Sequence, residues 1–155
     1  DLTDLTDLTG IAAELPPVLG DPGLLERVVA NIVDNAFRHA AGAPVQIRAS
    51  AHAGRVELRI CDHGPGLPRG AAEIVFAPFQ RLGSTERADR RNPPGIGLGL
   101  WVAKGFVAAM GGTIAADDTP GGGLTVVISL PAVDEPAVDE PAGAQPVAPA
   151  TETSA

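Results

Sequence analysis

The chain has 155 residues, which is enough to close one hydrophobic core and is typical of one domain. The sequence contains no apolar run of about eighteen residues, so it excludes a membrane-spanning helix within these residues. The single cysteine, Cys61, excludes an intramolecular disulfide and is expected to be a small buried side chain. The sequence begins at Asp1 and not at Met, which indicates an excised or processed piece.

The net charge of −8 is concentrated at the two ends. Residues 1–9 carry three acids and no base, and residues 131–155 carry five acids and no base, which leaves residues 10–130 neutral. The acidity therefore identifies no partner. Residues 81–91 are locally positive but contain no aromatic side chain, so they do not predict a nucleic-acid surface. They fit either a solvated loop or a loop that faces an anion.

The two ends also differ from the middle in pattern. The opening DLTDLTDLT repeats every three residues, which is neither a strand nor a helix period, although part of it can pair as an edge strand. The tail repeats PAVDE and is rich in Pro, Ala and Glu, which predicts disorder. We expect an N-terminal segment of unassigned structure at 1–8, a folded domain at 9–131 and a disordered tail at 132–155.

The first half of the domain predicts an extended segment, a helix and a hairpin. ELPPVL favours a short extended piece. Asp21 is expected to cap a helix with Pro22 in its first turn and Gly42 just after its last turn. The alternating segments PVQIRASA and RVELRICD flank HAGR, a pattern typical of a β-hairpin.

The second half predicts a loop, a helix and a second hairpin. Residues 80–95 are charged and without periodicity, and a loop of this length is a candidate for function as a lid. A helix is expected from Gly97 to Met110, followed by strands GTIAAD and LTVVISL around a turn at Gly121–Gly123. The order of elements predicts an α+β sandwich, with helices on one face of a largely antiparallel sheet.

Asn31, Asn35 and Arg38 are spaced by four and three residues, so they share one face of the first helix, beside its apolar stripe. Residues at such a border can face a cleft. Amide oxygens there can hold a magnesium ion, and a cation one turn on can meet phosphate. The alternative is that both asparagines hydrogen-bond backbone at a helix end.

Two glycine-containing segments are further candidates. DHGPG at 62–66 follows a predicted strand, where Asp62 could accept a hydrogen bond from an exocyclic amine and the glycines permit a tight turn beside a planar ligand. A simple turn is the alternative. GIGLGL at 95–100 opens a helix whose free N–H groups can face phosphate, but it matches neither a Walker A loop nor a dinucleotide fingerprint.

The order of these motifs resembles the ATP-binding catalytic domain of bacterial sensor histidine kinases. The sequence PGLLERVVANIVDNAFRHA, then DHGPG, F-x-x-F, GIGLGL and a glycine turn before Thr125 carry the resemblance, which covers residues 14–131. Within the family, the potassium-responsive sensor kinases are most similar. The resemblance implies the two-layer sandwich of the GHKL (Bergerat) ATP-binding type, a superfamily shared with gyrase and MutL.

The resemblance also implies roles for matching residues, with ATP and Mg2+ as cofactors. Asn35 would bind the metal, Asn31 would support the ion or a phosphate, and Asp62 would accept from the adenine amino group. Arg38 stands where most of the family has Lys, and His39 where many members have Tyr. The other positions expected to shape, anchor or close the site are Gly64, Gly66, Phe76, Phe79, Arg81, Gly95, Gly97, Leu98, Gly99, Leu100 and Thr125.

Three kinds of ATP user remain to be compared. A histidine kinase domain passes the γ-phosphoryl group to a separate histidine, whereas clamp ATPases and anti-sigma serine kinases place a Glu at position 31 as general base. Asn31 has no pKa with which to accept a proton, which favours the histidine kinase. A non-enzymatic nucleotide sensor is a further alternative.

None of His39, His52 and His63 lies in an acceptor-like helical segment, so no catalytic histidine is expected in this chain. The expected partner is a phosphoacceptor helical domain of the same parent, with a response regulator acting indirectly. The fragment is expected to be a monomer, and the parent a homodimeric, membrane-anchored sensor with this domain in the cytoplasm.

Overall fold

A computed structural model of the chain describes residues 6–72, 74–78 and 98–133. The described part contains five strands, two α-helices and one turn of 3-10 helix at Ile74–Phe76. In chain order the strands and α-helices are β1 Thr6–Ile11, α1 Pro22–His39, β2 Val45–His52, β3 Arg55–Cys61, α2 Gly99–Ala109, β4 Thr113–Asp118 and β5 Leu124–Pro131. Over the described ranges, no helix is both long and apolar enough to cross a membrane.

The strands form one sheet in the order β1-β2-β3-β5-β4. The β1–β2 pair is parallel and the other three pairs are antiparallel. One buried cluster joins alternate positions of the sheet to both helices, so α1 and α2 cover the same face. The predicted α+β sandwich is therefore confirmed.

Helix α1 begins and ends as predicted. The Asp21 carboxylate accepts hydrogen bonds from the backbone N–H groups of Gly23 (2.8 Å) and Leu24 (3.1 Å), and Pro22 occupies the first turn. The helix ends at the cap residue Ala40, and Gly42 follows with φ +86°. The buried positions Val28, Ile32 and Ala36 form the stripe that packs on the sheet.

Both predicted hairpins are present. Strands β2 and β3 are joined at Ala53 and Gly54, whose φ angles of +50° and +74° fit a two-residue turn of type I′. The β4–β5 connection contains the predicted glycine turn, in which Gly121, Gly122 and Gly123 all have positive φ.

The remaining differences concern boundaries. Helix α2 begins at Gly99 and ends at Ala109, shorter than the predicted Gly97–Met110, with Leu98 and Met110 as its caps. Strand β1 starts at Thr6 and crosses the predicted domain boundary at residue 9. The ELPPVL segment pairs with the chain after β5 through an isolated bridge between Val18 and Ala132 and a hydrogen bond from the Val133 N–H to the Pro17 carbonyl (2.8 Å), which fits the predicted short extended piece.

Candidate functional site

Asp62 lies at the end of β3 and is only 2% exposed. Its N–H donates to the Leu124 carbonyl (2.9 Å), so the residue continues the β3–β5 ladder. Its Oδ1 accepts from the N–H groups of Gly64 (2.9 Å) and Leu124 (3.1 Å). Within the described part of the chain, Oδ2 makes no hydrogen bond. One oxygen thus fixes the carboxylate and the other can accept from a ligand.

The glycines around Asp62 allow backbone segments to approach one another closely. A Cβ at Gly64 would overlap the carbonyl oxygen of His39 at the end of α1, and a Cβ at Gly123 would overlap the Asp62 carbonyl oxygen. Gly66 has φ +72° and also faces the Gly123 carbonyl. The loop at 62–66 is therefore wedged between the end of α1 and the β4–β5 turn, which fixes Asp62 beside α1.

Asn31 and Asn35 lie on one face of α1 and are both half-buried. Neither side chain makes a hydrogen bond to any described residue, so the alternative of backbone bonding at a helix end does not occur here. A half-buried amide without a protein partner is suited to bind water, a cation or a polar ligand. The oxygen atoms of the two amides are the kind of ligand that Mg2+ accepts.

Arg38 lies on the same face but is already paired. Its guanidinium contacts the Asp34 carboxylate at 2.6 Å, and the two side chains are 42% and 63% exposed. Such an exposed pair contributes little and can exchange for another anion. Arg38 is thus at the open rim of the face that holds Asn31 and Asn35.

The start of α2 approaches Asn31. A Cβ at Gly99 would lie 3.9 Å from the Asn31 Cβ, and no side chain caps this helix end at Leu98. The uncapped start of α2 therefore lies close to the asparagine face, and its first N–H groups are available to an anion there. Leu100 is buried in the core, so its side chain supports this helix start from beneath.

Four predicted residues lie outside the described residues: Phe79, Arg81, Gly95 and Gly97. The predicted lid at 80–95 lies there too. Phe76 is buried in the core, which is compatible with a role as an anchor but equally fits core packing alone.

Thr125 is not brought together with Asp62. Its neighbours Leu124 and Val126 belong to the core beneath the helices, so Thr125 faces the opposite side of the sheet. There its hydroxyl pairs with that of Thr119 at 2.9 Å, and both residues are buried. Thr119 was not predicted as a site residue, although a hydroxyl residue directly before PGGG, between two predicted strands, was a signal that pointed to it.

Neither the cavity found in the described part nor its acidic, histidine and cysteine side chains indicate a second functional site. An open cavity of about 240 Å³ lies between residues 67–72 and the end of β4, and none of the predicted site residues lines it. Over the same described ranges, no group of three His, Cys, Asp or Glu side chains could hold a metal ion. The asparagine face and the Asp62 loop remain the candidate site.

Comparison with known proteins identifies the class to which this arrangement belongs. Residues 20–134 match the model of the "Histidine kinase-, DNA gyrase B-, and HSP90-like ATPase" family. The matched range includes α1, the Asp62 loop, α2 and the β4–β5 hairpin. The chain belongs to this family.

The individual relatives are sensor kinases. The chain is 55% identical over 117 residues to the sensor protein KdpD of Mycobacterium tuberculosis (strain CDC 1551 / Oshkosh), a match that covers 76% of this chain and 13% of the relative. Against the sensor protein KdpD of Escherichia coli (strain K12), identity is 40% over 113 residues, covering 72% of this chain and 12% of the relative. The chain thus spans only a small part of these curated relatives.

Solved structures give the same result. The mycobacterial sensor histidine kinase MprB is 31% identical, with a TM-score of 0.68 and 83% coverage of both chains. Full-length ShkA, solved in complex with AMPPNP, is 29% identical with a TM-score of 0.65, covering 82% of this chain and 26% of that one. The predicted resemblance to sensor histidine kinases of the KdpD type is confirmed.

Proposed function

We propose that this chain binds Mg-ATP between the asparagine face of α1, the Asp62 loop and the start of α2, and donates the γ-phosphoryl group to a histidine of a separate domain. The observation that carries the proposal is that polar groups in this region lack hydrogen-bond partners among the described residues. Asp62 has one fixed and one unbonded oxygen, and it is accompanied by two half-buried amides that have no partner among the described residues. These are the groups that a purine amine, a cation and a phosphate would complete.

The residues present fit magnesium. Mg2+ prefers oxygen ligands and usually keeps several waters, with few protein ligands and the substrate phosphates completing its shell. Asn35 and Asn31 can supply those protein oxygens. When bound, the ion neutralises phosphate charge. The described residues do the positioning: Asp62 orients the base, and the first N–H groups of α2 face the phosphates.

The transfer would form a bond from an imidazole nitrogen to the γ-phosphorus and break the bond between that phosphorus and the β–γ bridging oxygen. ADP leaves, and the imidazole releases a proton. The acceptor histidine would come from a helical phosphoacceptor domain of the same parent, which then serves a response regulator. We place this domain on the cytoplasmic side of a homodimeric, membrane-anchored sensor of the KdpD type.

A clamp-type ATPase or an anti-sigma serine kinase is the second candidate function. Both classes use a carboxylate base at the position of Asn31, and an amide cannot accept the proton of water or serine at neutral pH. The asparagine therefore favours transfer to a histidine, whose imidazole nitrogen is itself a nucleophile.

The test combines a binding titration with a transfer assay. We expect ATP to bind the chain by calorimetry more tightly with Mg2+ than with EDTA. We expect phosphate to move from labelled ATP to the separately expressed acceptor domain of the parent kinase, giving an acid-labile, base-stable product. An acceptor domain with His replaced by Gln is the matched control. ATP binding without any transfer to the intact acceptor would contradict the kinase assignment.

A further inference from the structure

The Asp62 carboxylate, which faces adenine in the proposed site, is held in place by the β4–β5 turn. A side-chain contact on the opposite side of the sheet stabilises that turn. Leu124 contributes both an N–H to Asp62 Oδ1 (3.1 Å) and a carbonyl to the Asp62 N–H (2.9 Å). Gly123, immediately before it, packs so closely on the Asp62 carbonyl that no side chain would fit. The orientation of Asp62 therefore depends on where residues 123 and 124 are held.

Thr119 holds that turn through three hydrogen bonds. Its N–H donates to the Gly123 carbonyl (2.9 Å), and its carbonyl accepts from the Gly122 N–H (2.9 Å). Its hydroxyl pairs with the Thr125 hydroxyl (2.9 Å) in a buried contact. The two backbone bonds close the turn, while the hydroxyl pair ties the end of β4 to the start of β5.

The turn needs such support because its own sequence is permissive. It contains three consecutive glycines with φ of +88°, +111° and +112°, and glycine loses more conformational freedom on ordering than any other residue. Pro120 and Gly121 fit the two central positions of a type II turn. Gly122 and Gly123 have no such preference of their own, so their conformation depends on contacts with the residues around them. The side-chain bond from Thr119 to Thr125 spans this flexible segment.

We propose that Thr119 is a positioning residue for recognition of the adenine base. Through the Thr119–Thr125 hydroxyl pair it fixes Gly123 and Leu124, and through them the direction in which Asp62 Oδ2 accepts the exocyclic amine. Thr119 itself does not touch the nucleotide. This inference rests on the proposed function, because it specifies how the same site distinguishes adenine from other purines.

The test is the ratio of the dissociation constants for ITP and ATP in the full chain. ITP carries a carbonyl oxygen where ATP carries the amine, so a fixed Asp62 carboxylate disfavours it. Thr119→Val keeps the side-chain shape but removes the hydroxyl. We expect it to weaken ATP binding about fivefold, the value of one hydrogen bond, and to lower the ITP/ATP ratio by a similar factor. Thr119→Ser is expected to restore both.

A double-mutant cycle shows whether the hydroxyl pair carries the effect. Thr125→Val should reproduce the change in the ratio, and the Thr119→Val, Thr125→Val double variant should add little to either single variant. Hydrogen exchange at the Leu124 amide should be faster in Thr119→Val. If Thr119→Val does not fold, Thr119→Ala and Thr125→Val are measured in its place against Thr119→Ser.

The outcomes separate this inference from the proposed function. If the wild-type chain fails to bind ATP, the proposed function itself fails. If the wild type binds ATP and discriminates against ITP, but the hydroxyl-free variants keep the wild-type ratio, Thr119 has only a structural role and the inference is overturned. Equal weakening of ATP and ITP would overturn it as well, because a general loss of packing affects both nucleotides alike.

Discussion

Asp62 combines deep burial with an incomplete set of hydrogen bonds. A carboxylate that is 2% exposed would be costly without partners, and the two backbone N–H groups at Oδ1 supply part of what it loses in water. A ligand that donates a hydrogen bond to the unbonded Oδ2 can replace the rest of the lost hydration. The sequence indicated Asp62 because an acid directly followed a predicted strand and preceded two glycines.

Replacing Asp62 with Asn should weaken ATP binding at least tenfold, which corresponds to a loss of about 1.5–3 kcal/mol for a charge-assisted bond. An amide oxygen can still accept from Gly64 and Leu124, so the fold should remain, but the amide N–H2 then faces the adenine amine as donor against donor. Calorimetric titration measures the change. Asp117→Asn, at an exposed site on β4, is the matched control, and wild-type affinity in Asp62→Asn would reduce Asp62 to a turn residue.

The absence of a side chain at Gly64 allows the Asp62 loop to pack directly against the end of α1. Because a Cβ there would overlap the backbone carbonyl of His39, Gly64→Ala must push the loop away from α1. We expect a destabilisation of about 3 kcal/mol, measured by urea unfolding. Gly105→Ala is the contrasting variant. Gly105 lies inside α2 with open space around its Cβ position, so it should gain about 0.5–1 kcal/mol. Equal stability of both variants would show that the close approach at Gly64 is relieved without cost.

Among the elements, α1 carries both the core stripe and the asparagine face. Its capping residues and apolar spacing were readable in the sequence. The first hairpin followed from the alternating segments on either side of HAGR, and the second from two strand-like segments around the Gly121–Gly123 turn. These features are local, so a single sequence displays them. The Thr119–Thr125 pair was not predicted, because it depends on which strand becomes the neighbour of which and on the face to which Thr125 turns.

Helix α1 is stabilised at its start by the Asp21 cap. Asp21→Ala removes the acceptor for the Gly23 and Leu24 N–H groups and should lower the unfolding free energy by about 1 kcal/mol. Asp34→Ala on the same helix removes only an exposed ion pair and should change it by less than about 0.5 kcal/mol. Thermal melts of the two variants measure the difference, and a larger effect of Asp34→Ala would show that the ion pair supports the helix more than its cap.

Taken as a whole, the described fold offers the proposed nucleotide site but no acceptor for the proposed phosphoryl transfer. The groups proposed to bind the nucleotide belong to α1, the Asp62 loop and α2, and the two helices pack against each other over the shared core. The histidines within the described residues are also placed unlike an acceptor: His39 ends α1, His52 ends β2, and His63 lies exposed in the glycine loop. Phosphoryl transfer depends chiefly on placing an in-line nucleophile against a neutralised γ-phosphate, so under the proposed function the nucleophile comes from a separate domain.

The chain alone should therefore bind Mg-ATP but neither hydrolyse it quickly nor phosphorylate itself. Asn31 cannot activate water, whereas Asn31→Glu introduces a base at the position where clamp ATPases use one. A placed general base contributes about 10²–10⁴-fold, so we expect Asn31→Glu to raise ATP hydrolysis by about tenfold or more, even with imperfect geometry. Asn31→Gln, which has the same length without the base, should remain as slow as the wild type in a phosphate-release assay. Rapid hydrolysis by the unmodified chain would contradict the histidine kinase assignment and favour a clamp ATPase.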